Sequence, residues 1–406
     1  MSATTTDSDI ASLMGELATP SGQSDPYPIY ARMHELGEAV AAPDGTVIVT
    51  GYDACSAVIR DNRLRKSPGA VLTAAGYPDW QQRPSLRLLF GSMLMLNPPQ
   101  HTRLRRLVSR SFTAHRVAEM RDAITQIADQ LCEPLHGTIE FVDAVAFPFP
   151  VTVIGELLGI PAADRPMFQP LVREWTSVLE ILNPLAVDSA DAAAVEIQSY
   201  LGELVRERRA RPCEDLISAL VANEDADHQL TEEELVTMAA LILAAGFETT
   251  TGLLANGFCT LLQTPHEADR LRRGPALARP AAEELLRYDT PVQMLYGRTA
   301  AEDMMVGGLP VRAGQRLINL LGAANHDPRQ FSEPDELRLD RDEGPVLSFG
   351  GGIHHCLGAA LARLEAQVML PLLVRRYPNA CPAGEPVRRS GLMIRGYTSL
   401  PIALQG

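Results

Sequence analysis

The chain has 406 residues, 46% of them hydrophobic, enough for a large core, and a formal net charge of −14. That charge argues against nucleic acid and against an anionic membrane surface, both of which need a basic footprint. Lys66 is the only lysine, which argues against Schiff-base and pyridoxal-phosphate chemistry and against a phosphate loop ending in Gly-Lys-Ser/Thr.

The start is polar up to Ile10, with Asp7 and Asp9, and carries neither the basic nor the apolar region of a signal peptide. Residues 1–24 are expected to be flexible. No Ser/Gly-rich linker divides the rest, so 25–406 is expected to be a single domain. Asp25 can cap a helix from Pro26 to Leu36 that Gly37 ends. Ala39–Ala42 and Thr46–Thr50 flank Asp44-Gly45, a hairpin signal. From Tyr52 to Tyr288 the pattern is helical, except that Leu64 to Pro99 reads as a long loop rich in Gly and Pro.

Thr231 opens the longest helix, and Glu234 completes a Thr-x-x-Glu capping box. It is predicted to run to Thr264, where Pro265 stops it, a length of roughly 50 Å. Its stretch from Met238 to Leu262 approaches membrane-span length but contains Glu248, Asn256 and several threonines, so a buried core helix explains it better. Short β pieces follow between Pro291 and Leu320, then an irregular stretch from His326 to Gly352. A last long helix spans Ala359 to Val374, and 379–405 reads as strands and turns. The expected class is mainly α with a minor β part. Six cysteines form no Cys-x-x-Cys pair, which points to a reducing cytoplasm.

Cys356 stands apart from the other thiols. It lies in Phe349-Gly-Gly-Gly-Ile-His-His-Cys356-Leu-Gly358, ahead of the last helix. The glycines let backbone approach a flat ligand closely. Helix N–H groups and the helix dipole favour a thiolate there, and iron would stabilise it further. A buried inert cysteine would not need three preceding glycines. A zinc site would use His354 or His355, but no second ligand cluster has suitable spacing. A phosphate loop fails because Gly350 and Gly352 lack the third glycine and the βαβ setting. The thiolate of a haem remains the best reading.

The long helix carries Ala245-Gly246-Phe247-Glu248-Thr249-Thr250. Glycine costs about 1 kcal/mol in a helix centre, so Gly246 suggests a close approach. Thr249 can bond back to the Ala245 carbonyl and bend the helix. Glu248 is an acid in an apolar stretch, where burial favours its protonated form. An acid beside an alcohol can relay protons; an ordinary core helix with a threonine run is the competing reading.

Together these segments resemble the cytochrome P-450 family. Phe349, Gly352, His354, Cys356 and Gly358 match its Phe-x-x-Gly-x-[His/Arg]-x-Cys-x-Gly haem loop. Ala245 to Thr250 matches its [Ala/Gly]-Gly-x-[Asp/Glu]-Thr-Thr oxygen groove. The resemblance covers nearly the whole chain, from the Pro26-Tyr27 helix to Arg395-Gly396. It implies a triangular helical prism with a long central helix over haem b and small β-sheets. Cys356 would bind the iron, Phe349 would pack by the sulfur, and Glu248 and Thr249 would deliver protons. Phe247, at the variable position, would shape the pocket. His101, Arg105, Arg298 and His354 would meet the haem propionates, although each alone could be a solvated charge. Glu284 and Arg287, at i and i+3, could be a plain surface pair; the resemblance makes them a buried structural pair behind the cysteine loop.

Three positions depart from the family pattern. Asn97 stands where Asp often precedes Pro-Pro-x-His-Thr, and His326 replaces a common Arg. Pro334-Asp-Glu-Leu337 lacks the usual Arg and Phe, leaving Arg338 and Arg341 as candidates to complete the Glu284–Arg287 network.

The implied activity is a bacterial-type soluble monooxygenase that uses O₂. Electrons would come from NAD(P)H through a ferredoxin and its reductase, since the chain has no room for a fused one. Arg103, Arg106 and Arg110 form a stripe that could dock an acidic carrier or be a solvated face. A monomer is expected. Family position puts Leu72, Met93, Leu94, Leu241, Val292, Met294, Leu295, Leu392 and Met393 at the substrate pocket, with core packing as the alternative for each. A hydrophobic natural product, such as a macrolide, terpenoid, steroid or peptide-like molecule, would suit such a lining. A peroxide-driven haem enzyme and a non-catalytic haem-containing scaffold are the rival readings.

Overall fold

The capping box forms as predicted and starts the spine of the molecule. In the computed structural model, which describes residues 3–180, 187–222 and 230–405, the long helix runs Glu232–Gln263. Thr231 Oγ1 accepts from the Glu234 N–H at 3.2 Å, and Glu234 Oε2 accepts from the Thr231 N–H at 2.9 Å. Beyond its first turns the helix is apolar on every side, which suits a central position. Helices Pro148–Leu158, Val187–Ala210, Ala278–Tyr288 and Ala359–Arg376 pack around it. Most of its apolar stretch is buried, as expected of a core helix rather than a lipid span.

The main sheet has five strands, in the order Ala39–Ala41, Val47–Val49, Arg316–Leu320, Met294–Ala300 and Leu64–Lys66. The first two form the expected hairpin, and Gly45 at its turn has φ 78°. Val47–Val49 runs parallel to Arg316–Leu320; the other pairings are antiparallel. A three-stranded sheet joins Gly137–Glu140, Pro401–Leu404 and Cys381–Pro382. The architecture is mainly α with a minor β part.

Two expectations need correction. Met1 and Ser2 lie outside the described residues, but residues 3–24 are not a flexible start. They form helices Ala3–Leu17 and Pro20–Ser24, with Ile10, Leu13 and Leu17 buried against Tyr30, Met33, Val40 and Ile48. Burying that apolar stripe outweighs the weak helix signal of the segment. Leu64–Pro99 is not one long loop either. It contains a strand, helices Pro68–Ala74 and Pro84–Phe90, and a turn of 3₁₀ helix at Trp80–Gln82. Both prolines open helices, where a missing N–H costs nothing.

A buried ionic network joins Ala278–Tyr288 to the segment leading to the cysteine. Arg287 donates to Glu284 at 2.8 and 3.0 Å, and both side chains are buried. Arg287 also donates to the carbonyls of Asn325 and Pro334 at 3.0 and 2.8 Å. Asn325 in turn holds the Leu347 N–H and the Ser348 hydroxyl, each at 2.9 Å. Arg341 completes the network, with its guanidinium 3.2 Å from Glu284, while Arg338 contributes its backbone N–H at 3.0 Å. His326, in place of the usual Arg, stacks on Tyr27 at 4.2 Å and bonds Asp335 and the Tyr288 carbonyl.

A second network centres on Asp289, which accepts from Tyr27, Arg395 and Arg388 at 2.7, 2.6 and 3.1 Å. Burial alone would raise its acid, but Arg395 and Arg388 outweigh it and hold the carboxyl at about 2. A depressed acid contributes stability above its unfolded value and loses it as pH falls through the folded one. Asp289 should therefore contribute stability, on the order of 2 kcal/mol, that disappears between pH 4 and pH 2. Urea titrations across that range should show a shallower acid limb in Asp289→Asn; an unchanged limb would refute this role.

Candidate active site

The cysteine loop is shaped by glycines that cannot be replaced. Gly350 and Gly352 have φ 64° and 62°, in the left-handed region. A Cβ on Gly352 would stand 2.7 Å from the Ile59 carbonyl, because the loop lies against helix Tyr52–Arg60. The Cys356 N–H donates to the Phe349 carbonyl at 2.9 Å, closing the loop. Arg363 stacks on the Phe349 ring at 4.3 Å, which leaves that ring packed rather than free.

Cys356 is exposed, yet the mass of protein around it makes burial the main influence on its thiol. Burial pushes the thiol up; the Gly358 N–H, Arg105 and Arg363 pull it down without winning. The helix end is thus too weak to create a thiolate alone. The helix begins only at Ala359, beyond Gly358, so its dipole acts from a distance. A metal ion is the influence that would deprotonate such a thiol outright.

Beside the cysteine lies a group of basic side chains. The His101 and His354 rings are 4.3 Å apart, and His101 is 2% exposed. Among the described residues its buried Nδ1 has no partner, nor has the buried Nε of Arg298. The other Arg298 nitrogens donate to the Leu64 and Ile59 carbonyls at 3.0 and 3.2 Å. Burial, then Lys66, His101, Arg298 and Arg105, pushes His354 down to about 3. Asp61 is the carboxylate that acts on Arg298, but Arg63 occupies it at 2.6 to 3.1 Å. Buried donors facing one another without an acid suit an anionic ligand. A thiol, a glycine cradle and these basic side chains fit a haem with its two carboxylates. Cys356 could hold the iron, and His101, Arg105, Arg298 and His354 the carboxylates.

On the long helix, Thr249 Oγ1 donates to the Ala245 carbonyl at 3.0 Å, and Thr250 Oγ1 to that of Gly246 at 3.0 Å. Ala245 is exposed and Thr249 half-exposed, within a helix buried on both sides of them. The close approach expected at Gly246 is made by Ile154, 2.9 Å from where a Cβ would be. Phe247 does not border a pocket; it is fully buried, edge-on to Phe147 at 5.2 Å. Glu248 is buried and forms an ion pair with Arg389.

The nine residues placed at the pocket divide among the cores. Leu72, Met93, Leu94 and Leu241 join the large helical cluster. Met294, Met393, Val292 and Leu392 join the cluster under the N-terminal helix, and Leu295 the one under the sheet. Leu295 comes within 4.0 Å of where a Gly350 Cβ would be, so it borders the cysteine loop. Leu392 and Met393 lie on a segment clasped by Glu180, which accepts the N–H groups of Leu392, Met393 and Ile394 at 2.8 to 3.2 Å.

Glu180, Arg389 and Lys66 were invisible as site residues in the sequence, because none belongs to a local motif. Arg103 leaves the expected basic stripe to pair with Glu234, while Arg106 and Arg110 are exposed.

This fold and cradle are those of a haem-binding, oxygen-using enzyme. The chain belongs to the cytochrome P-450 family, whose pattern matches residues 43–274 and 277–398. It is 39% identical to vitamin D(3) 25-hydroxylase of Pseudonocardia autotrophica, covering 94% of each chain. It is 35% identical to 6-deoxyerythronolide B hydroxylase of Saccharopolyspora erythraea, covering 96% of this chain and 99% of that one. The crystal structure of ligand-free Mycobacterium smegmatis CYP164A2 superposes with a TM-score of 0.86, at 36% identity, covering 97% of this chain and 99% of that one. The protein is a cytochrome P-450 monooxygenase, and family membership brings a haem cofactor and dependence on O₂.

Reduced protein treated with carbon monoxide should show the red-shifted Soret band of a thiolate-ligated haem. Cys356→Ser should lose that band while its far-ultraviolet circular dichroism stays unchanged. A variant that keeps the band would remove Cys356 from the iron.

Proposed function

We propose that this chain hydroxylates or epoxidises a mostly hydrophobic small molecule of natural-product type, with electrons from NAD(P)H through a ferredoxin and its reductase. The observation that supports this most is the cysteine loop set beside buried cations whose donors lack an acid. Two relatives bear names that point to large, mostly apolar substrates, a vitamin D and a macrolide precursor. The mostly apolar side chains assigned to the pocket suit that class. We place the enzyme in the cytoplasm, as a monomer.

Cys356 would hold the iron of a haem here, and that haem would supply the oxygen chemistry. The protein's own part is to place protons and keep water out. Thr249 Oγ1 gives its hydrogen to the Ala245 carbonyl, so its lone pairs remain to accept a proton from the pocket side. Glu248 stands next in sequence, and its carboxylate must leave Arg389 before it can take up and pass on a proton. Arg389 thereby sets the resting charge of the relay. The exposed Arg106 and Arg110 offer docking cations for an acidic electron carrier.

A spectral-shift screen of ferric protein against macrolide lactones and secosteroids should find ligands, and turnover with ferredoxin and reductase should oxidise the best of them. Thr249→Ala should keep NAD(P)H consumption within about threefold but divert it to hydrogen peroxide. Glu248→Gln should slow product formation by at least ~10²-fold, the scale of a lost proton-transfer group. Full coupling in both variants would overturn the relay, and equal turnover with peroxide alone would favour a peroxygenase.

A further inference from the structure

We infer that Lys66, the single lysine of the chain, is a further ligand for a haem carboxylate, acting beside Arg298. This rests on the haem reading of the site, and it concerns a residue that no local motif contains.

The argument begins with strand pairing. Leu64–Lys66 runs antiparallel to Met294–Ala300, and Lys66 lies directly opposite Arg298. Opposed residues on neighbouring strands carry their Cβ atoms about 5 Å apart, and like charges so placed destabilise a sheet. Both residues are also buried, at 7% and 4% exposure. Lysine usually snorkels its ammonium to water; here it does not reach it.

Among the described residues no carboxylate compensates this charge. The one hydrogen bond of Lys66 Nζ among the described residues runs to the Tyr296 carbonyl at 3.4 Å, near the limit for such a bond. Burial, and then Arg298, pulls its ammonium down to about 7. Lys66 is also the first charged group acting on His354, whose ring lies against His101. Five basic groups therefore share one region, and the Asp61 carboxylate that acts on Arg298 is bound by Arg63. One more cation than the expected clamp requires makes sense if a two-fold negative ligand lies among them.

The chain also fixes the backbone of Lys66 with care. Asn97 Oδ1 accepts from the Lys66 N–H at 2.9 Å, and Asn97 Nδ2 donates to the Lys66 carbonyl at 2.7 Å. This explains why asparagine replaces the usual aspartate, which could accept but not donate. Asn97 also accepts, through its carbonyl, the N–H of His101 at 3.0 Å at the start of helix Gln100–Ser111. One residue thus ties the strand bearing Lys66 to the helix bearing His101 and Arg105.

The test compares Lys66→Met, of similar length and uncharged, with Lys66→Arg. Haem loss from purified holoenzyme to an excess of a haem-scavenging apoprotein is measured, together with urea unfolding of the haem-free chains. Lys66→Met should release haem roughly tenfold faster, and Lys66→Arg should restore retention to within about threefold. The haem-free Lys66→Met chain should be as stable as wild type or more so, because an unpaired buried cation has gone. Its holoenzyme should also show a more negative reduction potential, since a cation near the haem favours the reduced state. Unchanged haem retention in Lys66→Met overturns the inference. Equal weakening of haem-free and haem-loaded chains overturns it too, leaving a structural lysine. Wild-type protein that takes up no haem would overturn the reading of the whole site, an outcome distinct from both.

Discussion

A cluster of buried basic groups with no matching acid among the described residues is the constraint around which this site is organised. His101, Arg298, His354 and Lys66 are placed by four different segments, yet their fields fall on one another. Folding brings them together at a cost that the chain itself does not recover. On the proposed reading an anionic cofactor would recover it, so that binding the haem would also complete the electrostatics of the fold. The thiol follows the same logic: burial pushes Cys356 up, and the Gly358 N–H, Arg105 and Arg363 do not offset it.

The contrast with the other buried charges sharpens this point. Glu284 is met by Arg287, Arg341 and the Arg338 N–H, and Asp289 by Arg395, Arg388 and Tyr27. In both networks every carboxylate oxygen has a donor at good distance, as buried ion pairs require. These two networks are fully compensated, whereas among the described residues no carboxylate bonds Lys66, His101, Arg298 or His354. The Glu284 network runs through Asn325 to Leu347 and Ser348, and so fixes the path of the cysteine loop.

What the sequence disclosed was mostly local. The Thr231–Glu234 box, the Thr249 bond to Ala245 and the Glu284–Arg287 pair each join residues three or four apart, and spacing reveals them. The fold class and the hairpin at Asp44-Gly45 were equally legible. The partners that come from afar were not: Arg389 meets Glu248 across 141 positions of chain (389 − 248), and Asn97 holds Lys66 from a separate segment. Prolines misled the reading of Leu64–Pro99, since the same residue that breaks a helix interior also opens Pro68–Ala74 and Pro84–Phe90. The helix Ala3–Leu17 stayed hidden because the surface that stabilises it is supplied by Tyr30, Met33 and the sheet.

Glu180 gathers three consecutive amides, and Gly391 has φ 136° and room for no Cβ, which would come 2.4 Å from the Glu180 carboxyl carbon. The backbone of Leu392 to Ile394 is therefore a fixed rail. On the proposed reading of Leu392 as pocket lining, exchanging its side chain would alter the shape offered to a guest without altering the track that carries it. Diversification of substrate taste would then proceed there by single replacements, while the frame is inherited intact.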